Sequence, residues 1–179
     1  MSNAASGAST PRTGSTPPPT DGPNPLALGS RFVAQYYNTL SNQPDQLIRF
    51  YQPASYLSQG MGSQATIPVQ CNKETVNELK ERFYIAKEGV ESGKALPDGP
   101  IRIELEQGAI DAQPAMNGGI LLVVTGSIVY PDIAGGAEKA SLRRRKAFVH
   151  TFILGSIAGK RNYYVQNDVL RFLHGESLE

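Results

Sequence analysis

Tryptophan is absent from this sequence and cysteine occurs once. A single thiol excludes an internal disulfide framework and any cysteine-rich metal cluster. Charge is scarce, with 18% Asp, Glu, Lys and Arg against roughly 25% in an average soluble domain, so a neutral tail or a broad buried surface is expected. The charges also nearly cancel, 17 basic against 16 acidic for a net +1. That excludes a protein held on nucleic acid by overall charge. No apolar run approaches the roughly 20 residues of a membrane span. The opening MSNAASGASTPR lacks an apolar centre and reads as no secretory signal, so a cytosolic or nuclear protein is expected. No Gly-rich phosphate loop, zinc spacing or nucleophile elbow is present, and no cofactor or metal is expected. A chain of 179 residues has room for one domain of ordinary size and not for two comfortable ones.

What is present begins with a tail. Residues 1–25 hold six of the 13 prolines, two charges (Arg12 and Asp21) and, beyond Met1, no aliphatic or aromatic side chain larger than alanine apart from the proline rings. Such a segment cannot bury enough apolar surface to offset the entropy of ordering it, and disorder is expected. Pro17-Pro18-Pro19 reads either as a polyproline ligand or as part of a bland tail. The globular part is placed at residues 26–174, with 175–179 a second short tail.

Periodicity changes at Pro25. Leu28, Phe32, Val33, Tyr36, Tyr37 and Leu40 recur as the apolar side of a helix at about 100° per residue, over an arc wider than one sheet contact requires. Phe32 and Leu28 lie at one edge of that arc. After the turn at Asn42–Asp45, Leu47, Phe50 and Tyr51 give a short second helix an apolar face, ended by Pro53. Ser55–Ser58 reads as a short strand and Gly60–Pro68 as a loop. Asn72 is a plausible cap for a third helix carrying Val76, Leu79, Phe83 and Tyr84 and ending near Lys87, and 88–100 is a Gly/Pro loop. The period then becomes two. Ile101, Ile103 and Leu105 alternate with charges, and Ile120–Tyr130, Ser141–Leu154 and Tyr163–Phe172 follow as long strands. Helices first and hairpin-connected strands second make an α+β domain.

The residues resemble a known family at four places. Phe32-Val33-Ala34-Gln35-Tyr36-Tyr37 resembles the F-V-x-x-Y-Y of the first helix in nuclear transport factor 2-like domains. Pro44–Tyr51 resembles their P-D-x-L-x-x-F-Y, and His150–Leu154 their Q-T-F-x-L. Tyr163–Phe172 resembles their F-Y-V-x-N-D-I-F-R-Y. Within the family, the sequence is most similar to the N-terminal domain of the Ras-GTPase-activating-protein-binding proteins, the stress-granule scaffolds. The resemblance implies a cone, three N-terminal helices packed on a strongly curved antiparallel sheet. It implies a homodimer through the exposed sheet face, carried by Val149, Thr151 and Ile153 or by their alternates Phe148, Phe152 and Leu154. It also implies a groove beside the first two helices and the last strand that takes phenylalanine- and glycine-containing peptides. The matching positions are Leu28, Phe32, Phe50 and Tyr163, where Tyr163 stands for the family's phenylalanine and adds a hydroxyl.

Function on that basis is a non-enzymatic, dimeric interaction domain for Phe/Gly-containing linear motifs. It would be the scaffold part of an RNA-associated protein of the cytoplasm and stress granules, with RNA reached only indirectly or through a further domain. The alternative is a nuclear transport carrier binding the small GTPase Ran and nucleoporins, in the nucleus or at its envelope. The hairpin from Tyr130 to Lys146, basic apart from Asp132 and Glu138, argues against Ran by charge complementarity. Its run Arg143–Lys146, with Lys139, Lys160 and Arg161, reads as a phosphate contact or as a solvated strand start that resists edge pairing. The same fold hosts isomerases and dehydratases, for which Asp111, His150 and Asp168 are the candidate acids and bases and Tyr36, Tyr56 and Tyr164 the donors. Asp168 and His150 read more simply as structural hydrogen-bonding groups. Cys71 reads as a buried thiol, Asp45 and Glu74 as helix-start residues, and His174 as part of the tail.

Overall fold

The computed structural model describes residues 24–85, 101–106, 109–129, 145–157 and 162–173. Residues 1–23 and 175–179 of the tails, the 88–100 loop and most of the basic hairpin therefore lie outside the described residues, while Asn24 and Pro25, placed in the tail, belong to the start of the first helix. Helix α1, Pro25–Asn42, starts where the sequence places it. Asn24 caps it, its side-chain oxygen accepting from the Leu26 and Ala27 amides at 3.0 and 3.4 Å, and Pro25 occupies the first turn, where its missing N–H costs nothing. A 3-10 helix follows at Pro44–Phe50. Helix α2 spans Lys73–Ile85. Asn72 accepts from the Thr75 amide at 2.8 Å while Thr75 Oγ1 accepts from the Asn72 amide at 2.9 Å, a reciprocal cap.

The strands are β1 (Tyr51–Met61), β2 (Val69–Gln70), β3 (Arg102–Glu104), β4 (Ile110–Pro114), β5 (Ile120–Val129), β6 (Arg145–Ser156) and β7 (Tyr163–Phe172). They form one sheet in the order β2-β1-β7-β6-β5-β3, with β4 also pairing β5. The expected antiparallel succession holds from β3 through β5 and β6 to β7.

The expected cone is corrected on two counts. The sheet is neither closed nor strongly curved: it is an open path ending in β2 and β3. Those end strands have two and three residues, too few to pair across a gap and close a barrel. The sheet is mixed rather than antiparallel, because β1 runs parallel to β7. The three expected helices are present among the described residues, the second of them with 3-10 geometry.

Strand β1 also runs longer than the Ser55–Ser58 expectation. Pro53 lies inside it, where the register with β7 jumps between Tyr51 and Tyr56, an irregularity that spares a proline its ladder bond. Ser55 ties this bulge down, accepting from the Gln52 amide at 3.0 Å and donating to the Val165 carbonyl at 2.5 Å.

The core lies between the helices and one sheet face. Phe148, Phe152 and Leu154 of β6 are buried against Val33, Tyr36, Tyr37 and Leu40 of α1. Val149, Thr151 and Ile153 alternate with them, half-buried on the other face. Gly29 lets α1 approach β5, since a Cβ there would meet Leu122 Cδ2 at 2.4 Å.

Candidate functional site

The four residues expected to form a peptide groove share one cleft. It measures about 820 Å³. Leu28 and Phe32, one helical turn apart, form its α1 wall together with Arg31, Gln35 and Thr39. Phe50, at the end of the 3-10 helix, forms the second wall with Gln46 and Arg49, and Tyr163 and Tyr164 at the start of β7 complete it.

The aromatic rings are joined edge to face. Phe32 and Phe50 meet at 5.8 Å and 90°. Phe32 rests on Phe152 at 5.2 Å and Phe50 on Tyr36 at 5.3 Å, so the cleft floor is the outer surface of the core itself. Phe32, Phe50, Leu28 and Tyr163 are all partly buried. The Phe32 ring touches the interior on one side and lines the cleft on the other. A T-shaped aromatic pair with an open side can accept a further ring or apolar side chain.

Beneath this floor lies a buried polar cluster. Asp168 projects inward from β7. Tyr51 donates to its Oδ2 at 2.7 Å, and the Tyr36 hydroxyl lies 2.7 Å from that of Tyr51 and 3.3 Å from Oδ2. His150 Nε2 is 2.8 Å from Oδ1, and Nδ1 is 3.1 Å from the Tyr37 hydroxyl. A carboxylate only accepts, so Nε2 is the donor to Asp168, and the Tyr37 hydroxyl is the partner of the other ring nitrogen. His150 and Asp168 are joined diagonally across two adjacent strands, since the ladder sets His150 beside Leu170 and Phe152 beside Asp168. Burial, and then the nearby Asp168 charge, raise the hydroxyl pKa of Tyr36, Tyr37 and Tyr51 well above the ordinary tyrosine value.

This cluster contains three of the residues considered for cone chemistry: Asp168, His150 and Tyr36. The others lie apart: Asp111 and Tyr56 are exposed, and Tyr164 lines the cleft above the cluster. Tyr37 and Tyr51 belong to the cluster although the sequence did not single them out for it. Their partners lie more than a hundred residues away in the chain, a separation that periodicity does not report. Tyr51 also lines the cleft, while its hydroxyl is bonded within the cluster.

A second, more apolar cleft of about 580 Å³ lies between the other side of α1 and β3, lined by Val33, Tyr37, Ile101, Ile103 and Leu105 among others. Neither cleft is lined by Asp168 or His150. Among the described residues no group of three or more His, Cys, Asp or Glu could hold a metal, and no helix is long and apolar enough to cross a membrane. Cys71 is buried, and desolvation followed by the Asp168 charge pushes its thiol pKa up, which makes it a poor nucleophile. Of the basic run, Arg145 pairs with Glu104 at 2.6 Å and Lys146 sits 5.2 Å over the Phe172 ring, while Arg143 and Arg144 lie outside the described residues.

Known proteins are similar to this chain in sequence or in fold. A protein of Arabidopsis thaliana named Nuclear transport factor 2 is 29% identical over 154 residues, which are 84% of this chain and 27% of that protein. Nuclear transport factor 2 of Cryptosporidium parvum is similar in structure, with a TM-score of 0.56 and 22% identity over 84% of this chain and 96% of its own. So is the yeast UBP3-associated protein BRE5, with a TM-score of 0.55 and 22% identity over 84% of this chain and 95% of its own. At such identities the two structures speak to the fold alone. The family model of the nuclear transport factor 2 (NTF2) domain matches residues 28–172. From the α1 wall of the cleft to the end of β7, the chain belongs to the nuclear transport factor 2 domain family.

Proposed function

We propose that this chain is a non-enzymatic protein-interaction domain that takes Phe/Gly-containing linear segments in the cleft between α1, the 3-10 helix and the start of β7. The observation that carries this reading is the convergence of Leu28, Phe32, Phe50 and Tyr163 on one cleft of about 820 Å³. Aromatic walls around an aromatic anchor are the usual composition of a binding hot spot. Glycine beside the anchor would let the segment's backbone approach the rings. An enzymatic reading is less well supported by the geometry. A general base must reach the proton it removes, whereas Asp168 and His150 are buried, bonded to each other and to tyrosines, and absent from the lining of either cleft.

Two settings are compatible with such a module. The name of the Arabidopsis relative favours a nuclear transport carrier, for which phenylalanine-glycine segments of nucleoporins are the natural occupants. The second setting is a scaffold in an RNA-associated protein of the cytoplasm or stress granules. It rests on the four sequence blocks that resemble the Ras-GTPase-activating-protein-binding branch. The structural likeness to BRE5, a UBP3-associated protein, fits a domain whose task is association. In both settings the domain works as a homodimer through the sheet face opposite α1, and any RNA is reached indirectly.

Titrating an F-G peptide into the chain by calorimetry tests the reading. Affinity on the order of micromolar is expected, because the segment must be ordered on binding. Phe32→Ala should weaken it by roughly 1–3 kcal/mol. Equal binding by the wild type and a folded Phe32→Ala variant would remove Phe32 from the site.

A further inference from the structure

We propose that Asn117-Gly118, in the turn between β4 and β5, is a site of spontaneous deamidation that the folded hairpin holds closed, so that opening of β4 sets the rate of conversion. Asn-Gly occurs once in the sequence. Both residues are exposed and Met116 beside them is 86% exposed, so water reaches the site freely. The chemistry needs no other reagent. The Gly118 amide nitrogen bonds to Asn117 Cγ and gives up its proton, the Cγ–Nδ2 bond breaks, and ammonia leaves with that proton. Water then opens the cyclic imide. Attack at Cγ yields aspartate. Attack at the main-chain carbonyl yields isoaspartate, in which the chain runs through Cβ. Glycine obstructs ring closure least, because it brings no side chain and leaves the backbone free to turn.

The turn opposes that closure. Asn117 has φ 57° and ψ 32°, and Gly118 has φ 71°. Both are left-handed, as the two central residues of a type I′ turn must be. The Gly119 amide donates to the Met116 carbonyl at 3.0 Å and the Ala115 amide to the Gly119 carbonyl at 2.8 Å. These bonds join the turn to a ladder that runs from the Pro114 and Ile120 pair to the Ile110 and Val124 pair. Ring closure requires the Gly118 nitrogen on the Cβ side of the Asn117 Cα–C bond. At ψ 32° the tetrahedral Cα sets it nearly opposite Cβ, away from Cγ. Reaction therefore waits for the hairpin to open. Strand β4 is suited to open early. Its five residues are all half-buried or exposed, its neighbours are β5 and α1, and a segment with so little buried surface opens at less than the cost of global unfolding. Of the two products, aspartate fits the same turn, since Asp-Gly also favours type I′. Isoaspartate lengthens the main chain inside a two-residue turn and keeps β4 from pairing again in register. Conversion is one-way, and it loosens a strand that borders α1, the helix that walls both clefts.

The test incubates the full chain at mildly alkaline pH in three states: native, in urea below the global transition, and unfolded in urea. Peptide mapping by mass spectrometry follows Asn117, and isoaspartyl methyltransferase labelling counts the isoaspartate. The native chain should convert at least roughly ten-fold more slowly than the unfolded one, the ratio being set by the fraction of open hairpin. Urea below the transition should speed it. Ile110→Ala, which removes a partly buried side chain from β4, should speed it as well. Chains that have gained isoaspartate should melt below an Asn117→Asp variant, which should itself melt close to wild type. Equal rates in the native and unfolded chains, or a native rate indifferent both to urea and to Ile110→Ala, would overturn protection by the turn. An isoaspartate chain that melts with Asn117→Asp would overturn the loosening of β4. Absence of conversion at Asn117 in the unfolded chain would overturn the site itself.

Discussion

Asp168 shows how one side chain shapes the interior. A carboxylate with 1% exposure is costly unless donors surround it, and Tyr51, Tyr36 and His150 supply them. Tyr51→Phe removes a charge-assisted donor and should cost about 1.5–3 kcal/mol. Asp168→Ala leaves several buried donors without their acceptor and should cost about 3–5 kcal/mol. Urea midpoints at unchanged slope would measure both. The raised tyrosines add a pH dependence whose sign is fixed by linkage. In the folded state Tyr36, Tyr37 and Tyr51 hold their protons above the pH at which the unfolded chain releases them. Their contribution is complete below about pH 10 and is lost as pH rises beyond it. Denaturation at about pH 8 and about pH 11 should therefore show a lower midpoint at the alkaline value, with a weaker dependence in Tyr51→Phe. A midpoint unchanged over that range would mean that these hydroxyls are not held protonated by the fold.

At the scale of elements, α1 is the piece on which both clefts and the polar cluster depend, and its seat on β5 is set by Gly29. Alanine is the better helix former by about 1 kcal/mol. Its Cβ, however, would stand 2.4 Å from Cδ2 of Leu122, a side chain that is itself fully buried. Overpacking of this kind costs about 1–3 kcal/mol, so Gly29→Ala should destabilise the chain despite the gain in propensity, and thermal unfolding would read the sign. The helix was legible in sequence because its apolar positions recur at one period over many residues, and β5, β6 and β7 were legible because their β-branched and aromatic runs are long. The Leu28, Phe32, Phe50 and Tyr163 set came from motif resemblance, and periodicity alone would have assigned Phe32 and Phe50 to core. What stayed hidden has local physical reasons. Strand β4, Ile110–Pro114, carries few apolar side chains and takes its place from pairing with β5. Pro53 argues against a strand, and β1 accommodates it only at a bulge. The 3-10 geometry of Pro44–Phe50 has the same apolar spacing as a short α-helix.

For the whole molecule, the open sheet separates two surfaces. One face carries the helices, the polar cluster and the clefts. On the other, the ladder aligns Val123, Thr151 and Val169 in one row and Leu121, Ile153 and Asn167 in the next. Val169 is 41% exposed, and no described helix covers this side. The alternate set, Phe148, Phe152 and Leu154, is buried against α1, which leaves Val149, Thr151 and Ile153 as the partner face of the proposed homodimer. Four strands about 4.8 Å apart and about ten residues long present a projected face on the order of 500 Å², while a standard interface buries about 800 Å² of accessible surface per partner. A dimer would therefore draw on nearly all of this corrugated face, with two-fold symmetry placing like residues near the axis. A charge near the centre should be enough to break it. Wild type should sediment at micromolar concentration with about twice the mass of the 19.3 kDa chain, and Ile153→Asp with the mass of one. Because Ile153 projects away from α1, the variant should keep its affinity for an F-G peptide. A monomeric wild type would end the dimer reading, and loss of peptide binding by a folded monomeric variant would show that the two faces are not independent.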